Sequence, residues 1–118
     1  MKPALLIIDI QRWFFETAYF ATDAGQRRLR ALVDGTNALS AFFHERGFPI
    51  FRITTAHDPD GGTRDLWGKR NGSTVLTAVT PGVCELDGIA SYAGDIAIVK
   101  TRHSAFIRTD LEDMLRRV

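Results

Sequence analysis

Ala4-Leu5-Leu6-Ile7-Ile8 is an unbroken apolar run that stops on Asp9, the pattern of a strand buried on both faces. Outward from it the periodicity changes. From about Ala24 to Arg46, Leu29, Leu32, Val33, Leu39 and Phe43 fall on one stripe at helical spacing, while Arg27, Arg28, Arg30 and Asp34 face away. Asp23 with Gln26 predicts a capping box at the start of this helix, and Gly47 supplies its stop. Phe48-Pro49 then leads into Ile50-Phe51-Arg52-Ile53-Thr54-Thr55, a second strand. Strand, long helix, strand is a βαβ unit, and strands joined by such a crossover lie parallel. The predicted class is α/β with a mainly parallel sheet.

Ala56 to Gly94 carries seven of the ten glycines and offers no clear long element, though Val75 to Val79 can form a short one. A loop of this length in a compact domain is usually functional or part of an interface. Gly94-Asp95 opens Ile96-Ala97-Ile98-Val99, read as a third buried strand ending on Lys100. Thr109-Asp110-Leu111-Glu112 predicts a capping box for a last helix, with Leu111, Met114, Leu115 and Val118 on its apolar side. The chain stops within that helix without a stop signal. Three strands make a narrow sheet, and a wholly apolar first strand suits a central position. Its free side is therefore expected to be paired, by another copy in a homo-oligomer or by a complementing C-terminal segment.

The 118 residues, 45% apolar and 25% charged, fit one globular domain spanning 1–118 and argue against disorder. A net charge of +1 calls for neither nucleic acid nor an acidic membrane surface. The single cysteine, Cys84, excludes an internal disulfide framework and a cysteine-based zinc ribbon. No apolar run approaches the ~20 residues of a membrane span, and the N-terminal run is too short for a signal peptide. A cytoplasmic location is the expectation.

Sites in parallel α/β sheets form at the carboxyl ends of the strands. Asp9 ends the first strand and Lys100 the third. Brought together, they suit proton shuttling, because an ammonium can hold a carboxylate ionised until a substrate proton arrives. The plainer reading is a loop-capping Asp and a Lys reaching for solvent. A phosphoacceptor receiver domain fits the length, but it needs an acidic pair at the first strand, and Asp9 stands between Ile8 and Ile10. Trp13, Phe14, Phe15, Tyr19 and Phe20 crowd the stretch after Asp9, as pocket wall or as core and interface. Trp67 can close over the same pocket as a lid, or stand at an interface.

Three stretches together resemble the N-terminal part of the isochorismatase-like superfamily, the cysteine hydrolases. They are Ala4 to Gln11 with Phe14 and Phe15 following, Arg46-Gly47-Phe48-Pro49-Ile50, and Val99-Lys100-Thr101-Arg102-His103-Ser104-Ala105-Phe106 continued by Thr109-Asp110-Leu111. Pro81-Gly82 also stands where the family often has that pair. The resemblance implies a three-layer α/β sandwich of Rossmann-like topology, cut short after the third strand and the helix that follows it. It implies hydrolysis of a small-molecule substrate at an amide C–N bond or a vinyl ether, with Asp9 as general base or acid and Lys100 as its catalytic partner. Phe14 is assigned to the substrate pocket by the same resemblance, and Trp67 and His103 are expected to line it. No cofactor is expected.

The family's nucleophilic cysteine follows a fourth strand, downstream of the lysine segment. Cys84 precedes Lys100, so by chain order it is not that residue, and the nucleophile is expected outside these 118 residues. Nicotinamidases of the family bind a metal through an Asp and histidines after the second strand. Here that stretch reads Thr54-Thr55-Ala56-His57-Asp58, and two candidate ligands are too few, so no metal is expected. His44 reads as a solvent- or dipole-facing residue near a helix end. The alternative to an enzyme is a truncated, non-catalytic remnant serving as a self-associating or binding module.

Overall fold

A computed structural model describes residues 2–72 and 76–118. Three strands, β1 (Leu5–Ile8), β2 (Ile50–Thr55) and β3 (Ile96–Lys100), form one parallel sheet in the order β1-β2-β3. Three helices accompany them: α1 (Asp23–Glu45), α2 (Leu66–Arg70) and α3 (Leu111–Arg117). A 3₁₀ turn, Arg12–Phe15, follows β1 directly. The parallel α/β class expected from the sequence is the one observed.

The two sheet faces are covered by different helices. Phe51 and Ile53 on β2 and Ile98 on β3 share a core with Ala105 and Leu111, and Met114 and Leu115 of α3 pack against it. Arg52 points the other way, because side chains alternate along a strand. There its guanidinium meets the Ala90 carbonyl, and the Ala90 amide in turn bonds Asn37 of α1. The result is α3 on one face and α1 on the other.

Within the described residues one side of β1 stays unpaired, the open side that the sequence leads one to expect. β2 takes the centre, and its Phe51 and Ile53 are almost fully buried. β1 stands at an edge and buries only Ile7 well, while Ile8 is exposed. Leu32 and Leu39 of α1 flank that edge and are exposed too, so the helix's apolar stripe is only half covered. β3, read as buried, alternates instead, with Val99 open to solvent. An apolar run reports what a strand can bury, and the number of neighbouring strands decides what it does bury.

Local signals fared unevenly. α1 begins at Thr22, whose hydroxyl accepts from the Gly25 amide at 3.1 Å, so the Asp23–Gln26 capping box does not form. A Cβ on Gly25 would lie 2.1 Å from the Tyr19 carbonyl oxygen, so only glycine lets the chain enter the helix this closely. Gly47 ends α1 at φ +62°, as its sequence position predicts. At α3 no capping box forms either: Thr109 accepts from the Leu111 amide, and Glu112 pairs with Arg116. Of the short element expected over Val75–Val79, Val75 lies outside the described residues, and the rest turns, touching His57 through one bridge at Thr77. α2 was not foreseen, because five residues with glycine in the middle carry no periodic signal.

Candidate active site

The carboxyl ends of all three strands converge on one pocket of about 480 Å³. β1 delivers Asp9, β2 delivers Thr55, and β3 delivers Lys100, which lies in register with Thr55. Asp9 is held from both sides. Its Oδ2 lies 3.0 Å from Lys100 Nζ, and its Oδ1 accepts from the Thr55 hydroxyl at 2.8 Å. The Asp9 side chain keeps 32% of its exposure, whereas that of Lys100 keeps 4%. The carboxylate therefore faces the pocket from a nearly sealed ammonium. Lys100 also donates to the Arg102 carbonyl at 3.2 Å. An ammonium has three N–H donors, and the third has no protein partner among the described residues.

The backbone is bent to achieve this. Asp9 adopts φ +57°, the left-handed region that costs a non-glycine residue about 1 kcal/mol or more. Leu76, which lines the same pocket, sits at φ +52°. Such outliers persist where surrounding structure fixes them. Around Asp9 that structure is plain. Its amide donates to the Ile53 carbonyl, and Gln11, fully buried two residues later, clamps the end of β2. The Gln11 side chain accepts from the Thr55 amide at 2.8 Å and donates to the Thr55 carbonyl at 2.9 Å and to the Val83 carbonyl.

Phe14, Trp67 and His103 all line this pocket with Asp9 and Lys100. Trp67 is 70% exposed and His103 lies fully in solvent, 3.7 Å from Asp65, so both stand at the rim. The aromatic cluster after Asp9 divides. Phe14 reaches the pocket and packs edge-on against Trp13, while Phe15 turns to the β1 edge and pairs with Phe20. Cys84 is exposed and does not line the pocket.

Several pocket residues escaped the sequence reading. Thr55 ends β2 as Asp9 ends β1, so the strand-end rule applied to the middle strand would have found it. Arg64 and Arg102 have no such signal, since loop closure alone brings them in. Arg102 donates through Nη1 to the Thr101 carbonyl at 2.7 Å and to the Thr63 carbonyl. Asp65 caps α2 by accepting from the Gly68 amide at 2.7 Å. His57 lines the pocket with its Nδ1 buried and without a hydrogen-bond partner among the described residues. Burial, and next the charge of Arg64, hold its imidazole below the usual histidine range, so the ring is neutral at pH 7.

A nicotinamidase-type metal finds no matching ligand set. Asp58 is exposed while His57 faces the pocket, and Thr55 spends its hydroxyl on Asp9. Among the described residues no three His, Cys, Asp or Glu side chains converge on one point. Among the described residues, too, no helix is long and apolar enough to cross a membrane.

Comparison with known proteins agrees with this fold. The chain is 30% identical to an isochorismatase family protein of Desulfovibrio vulgaris, with a TM-score of 0.76 over 97% of this chain and 60% of that one. It is 26% identical to the N-carbamoylsarcosine amidase of Thermoplasma acidophilum, with a TM-score of 0.73 over 99% of this chain and 62% of that one. A probable inactive nicotinamidase of Arabidopsis thaliana is 28% identical over 98% of this chain and 60% of its own length. The chain thus spans about 60% of the length of these relatives. The family model that describes the isochorismatase domain matches residues 3–118, and the chain belongs to the isochorismatase family.

Proposed function

We propose that this chain carries the proton-transfer half of a hydrolase site acting on a small molecule, at an amide C–N bond or a vinyl ether. The observation that carries the reading is the Asp9–Lys100 contact of 3.0 Å at the foot of an open pocket, with the lysine buried and the carboxylate facing out. Membership in a family of hydrolases, and likeness to an N-carbamoylsarcosine amidase, support it.

For an amide, Asp9 accepts the proton of an attacking nucleophile as the nucleophile's bond to the carbonyl carbon forms. The C–N bond then breaks, and Asp9 returns the proton to the leaving nitrogen. Lys100 and Thr55 fix the carboxylate through both steps, and the remaining Lys100 N–H faces developing negative charge. With a thiol as nucleophile, the cysteine comes from outside these 118 residues, and water then cleaves the thioester to release the acid and the thiol. For a vinyl ether, Asp9 delivers a proton to the vinyl carbon, water adds to the resulting oxocarbenium ion and returns a proton to Asp9, and the hemiketal breaks its C–O bond to give a ketone and an alcohol.

The test is ammonia release from N-carbamoyl amino acids and from nicotinamide by the chain together with the segment that supplies the nucleophile, unmodified and as Asp9→Asn. Turnover that falls roughly 10³-fold in the variant, with an unchanged circular dichroism spectrum, fits general acid–base work. A second reading, a binding module without turnover, draws on the relative named as a probable inactive nicotinamidase. Saturable ligand binding without turnover on any such substrate would favour it.

A further inference from the structure

The Asp9–Lys100 pair neutralises itself. Among the described residues the walls also carry Arg64, Arg102 and Asp65. Asp65 already serves the α2 cap and lies beside His103. Arg102 differs from the other cations. Its Nη1 is fixed by two uncharged backbone carbonyls, those of Thr63 and Thr101, and no described carboxylate forms an ion pair with it. Its Nε and Nη2 have no protein partner among the described residues. The guanidinium is therefore held in place, partly buried, with half its donor fork unspent.

A fixed, planar donor fork in a partly water-excluded pocket matches a carboxylate, which accepts two parallel N–H bonds. The backbone anchoring means that little side-chain freedom remains to be lost on binding. Arg102 also adjoins the acid–base pair, since Lys100 Nζ donates to its carbonyl. We propose that Arg102 is an anion anchor, and that the substrate of this pocket carries a carboxylate bound there while the Asp9–Lys100 pair faces the bond to be cleaved. The inference rests on the hydrolase reading for its second half and on the geometry of Arg102 for its first.

Benzoate and benzamide, near-isosteric and differing in charge, are the probes, titrated calorimetrically into the chain. Benzoate binds saturably and at least tenfold more tightly than benzamide, the scale of one charge-assisted hydrogen bond. Arg102→Gln lowers benzoate affinity about tenfold or more and leaves benzamide unchanged, and Arg102→Lys recovers part of the loss. Should the Gln variant not fold, raising salt on the unmodified chain gives the same contrast, weakening benzoate and sparing benzamide. Equal affinity for both probes, an Arg102→Gln variant that binds benzoate normally, or no saturable benzoate binding overturns the proposal. Asp9→Asn separates the two readings. Selective benzoate binding without turnover in the chain joined to its nucleophile-bearing segment would end the hydrolase and leave the anchor. Turnover that is lost in Asp9→Asn but shows no carboxylate preference would do the reverse.

Discussion

Two cations lie buried in this sheet, one strand apart, and they are used differently. Arg52, in the middle of β2, spends four of its five N–H donors. It bonds Glu85 through Nε at 3.0 Å and again through Nη2, Asp95 at 3.1 Å, and the Ala90 carbonyl at 2.6 Å. Asp95 is itself 7% exposed and also accepts from the Tyr92 amide. Lys100, at the end of β3, meets one carboxylate, and that carboxylate opens onto a pocket with its backbone in the left-handed region. The Arg52 cluster pins the 85–95 loop to the sheet and neutralises the cation with two carboxylates. At Lys100 a donor, a carboxylate face and a strained residue all remain. A buried ion pair is weak grounds for either stability or function until its unspent groups are known.

Removing each cation in turn is the strongest way to break the contrast. Lys100→Met should lower turnover roughly 10³-fold, or about 4 kcal/mol of barrier, in an ammonia-release assay. Its stability to urea should stay within about 1 kcal/mol, because Asp9 is open enough for water to solvate it and the cost of burying an ammonium disappears. Arg52→Met should do the opposite. It strands the Asp95 and Glu85 charges and costs about 3 kcal/mol in urea unfolding. A Lys100→Met chain that unfolds as readily as Arg52→Met would show that both cations serve the fold alone.

Finer changes sharpen the same comparison. Thr55→Val deletes the 2.8 Å hydroxyl contact with Asp9 and keeps the strand's shape, so turnover should fall about tenfold, the worth of one hydrogen bond to a charged group. The smallest expected effect belongs to His57. Its folded-state protonation is depressed below the ordinary 6.5, mainly by burial, so the unfolded chain binds the proton more readily. The stabilising contribution is present above pH 6.5 and lost as pH falls through the lower folded value. Thermal midpoints should therefore decline on acidification below pH 6.5, and less steeply in His57→Gln. Parallel pH curves for the two chains would contradict the assignment.

Much of the site was legible before any coordinates. Asp9 and Lys100 each end an apolar run, and strand-end position is a local property that the run itself announces. Arg102 stood inside a quoted motif, yet nothing nearby in sequence says that its guanidinium meets Thr63, 39 residues earlier. The same holds for Gln11, which holds the end of β2 from 44 residues away. Capping boxes were the weakest local signal. At α1 the Thr22 hydroxyl, one residue earlier, takes the backbone donor, and at α3 Thr109 bonds the Leu111 amide while Glu112 turns to Arg116.

The sequence by itself determined the βαβ crossover, the parallel sheet and the placing of Asp9 and Lys100 at strand ends, because periodicity and apolar run length act within a few residues. Only the tertiary structure decided that β2 is the centre, that Asp9 turns into the left-handed region toward Thr55 and Lys100, and that Arg102 keeps part of its donor fork unspent. Those outcomes depend on contacts between segments roughly forty or more residues apart. A single stretch of sequence can place a residue at the end of a strand, but the folded neighbours settle which of its hydrogen bonds are left for a substrate.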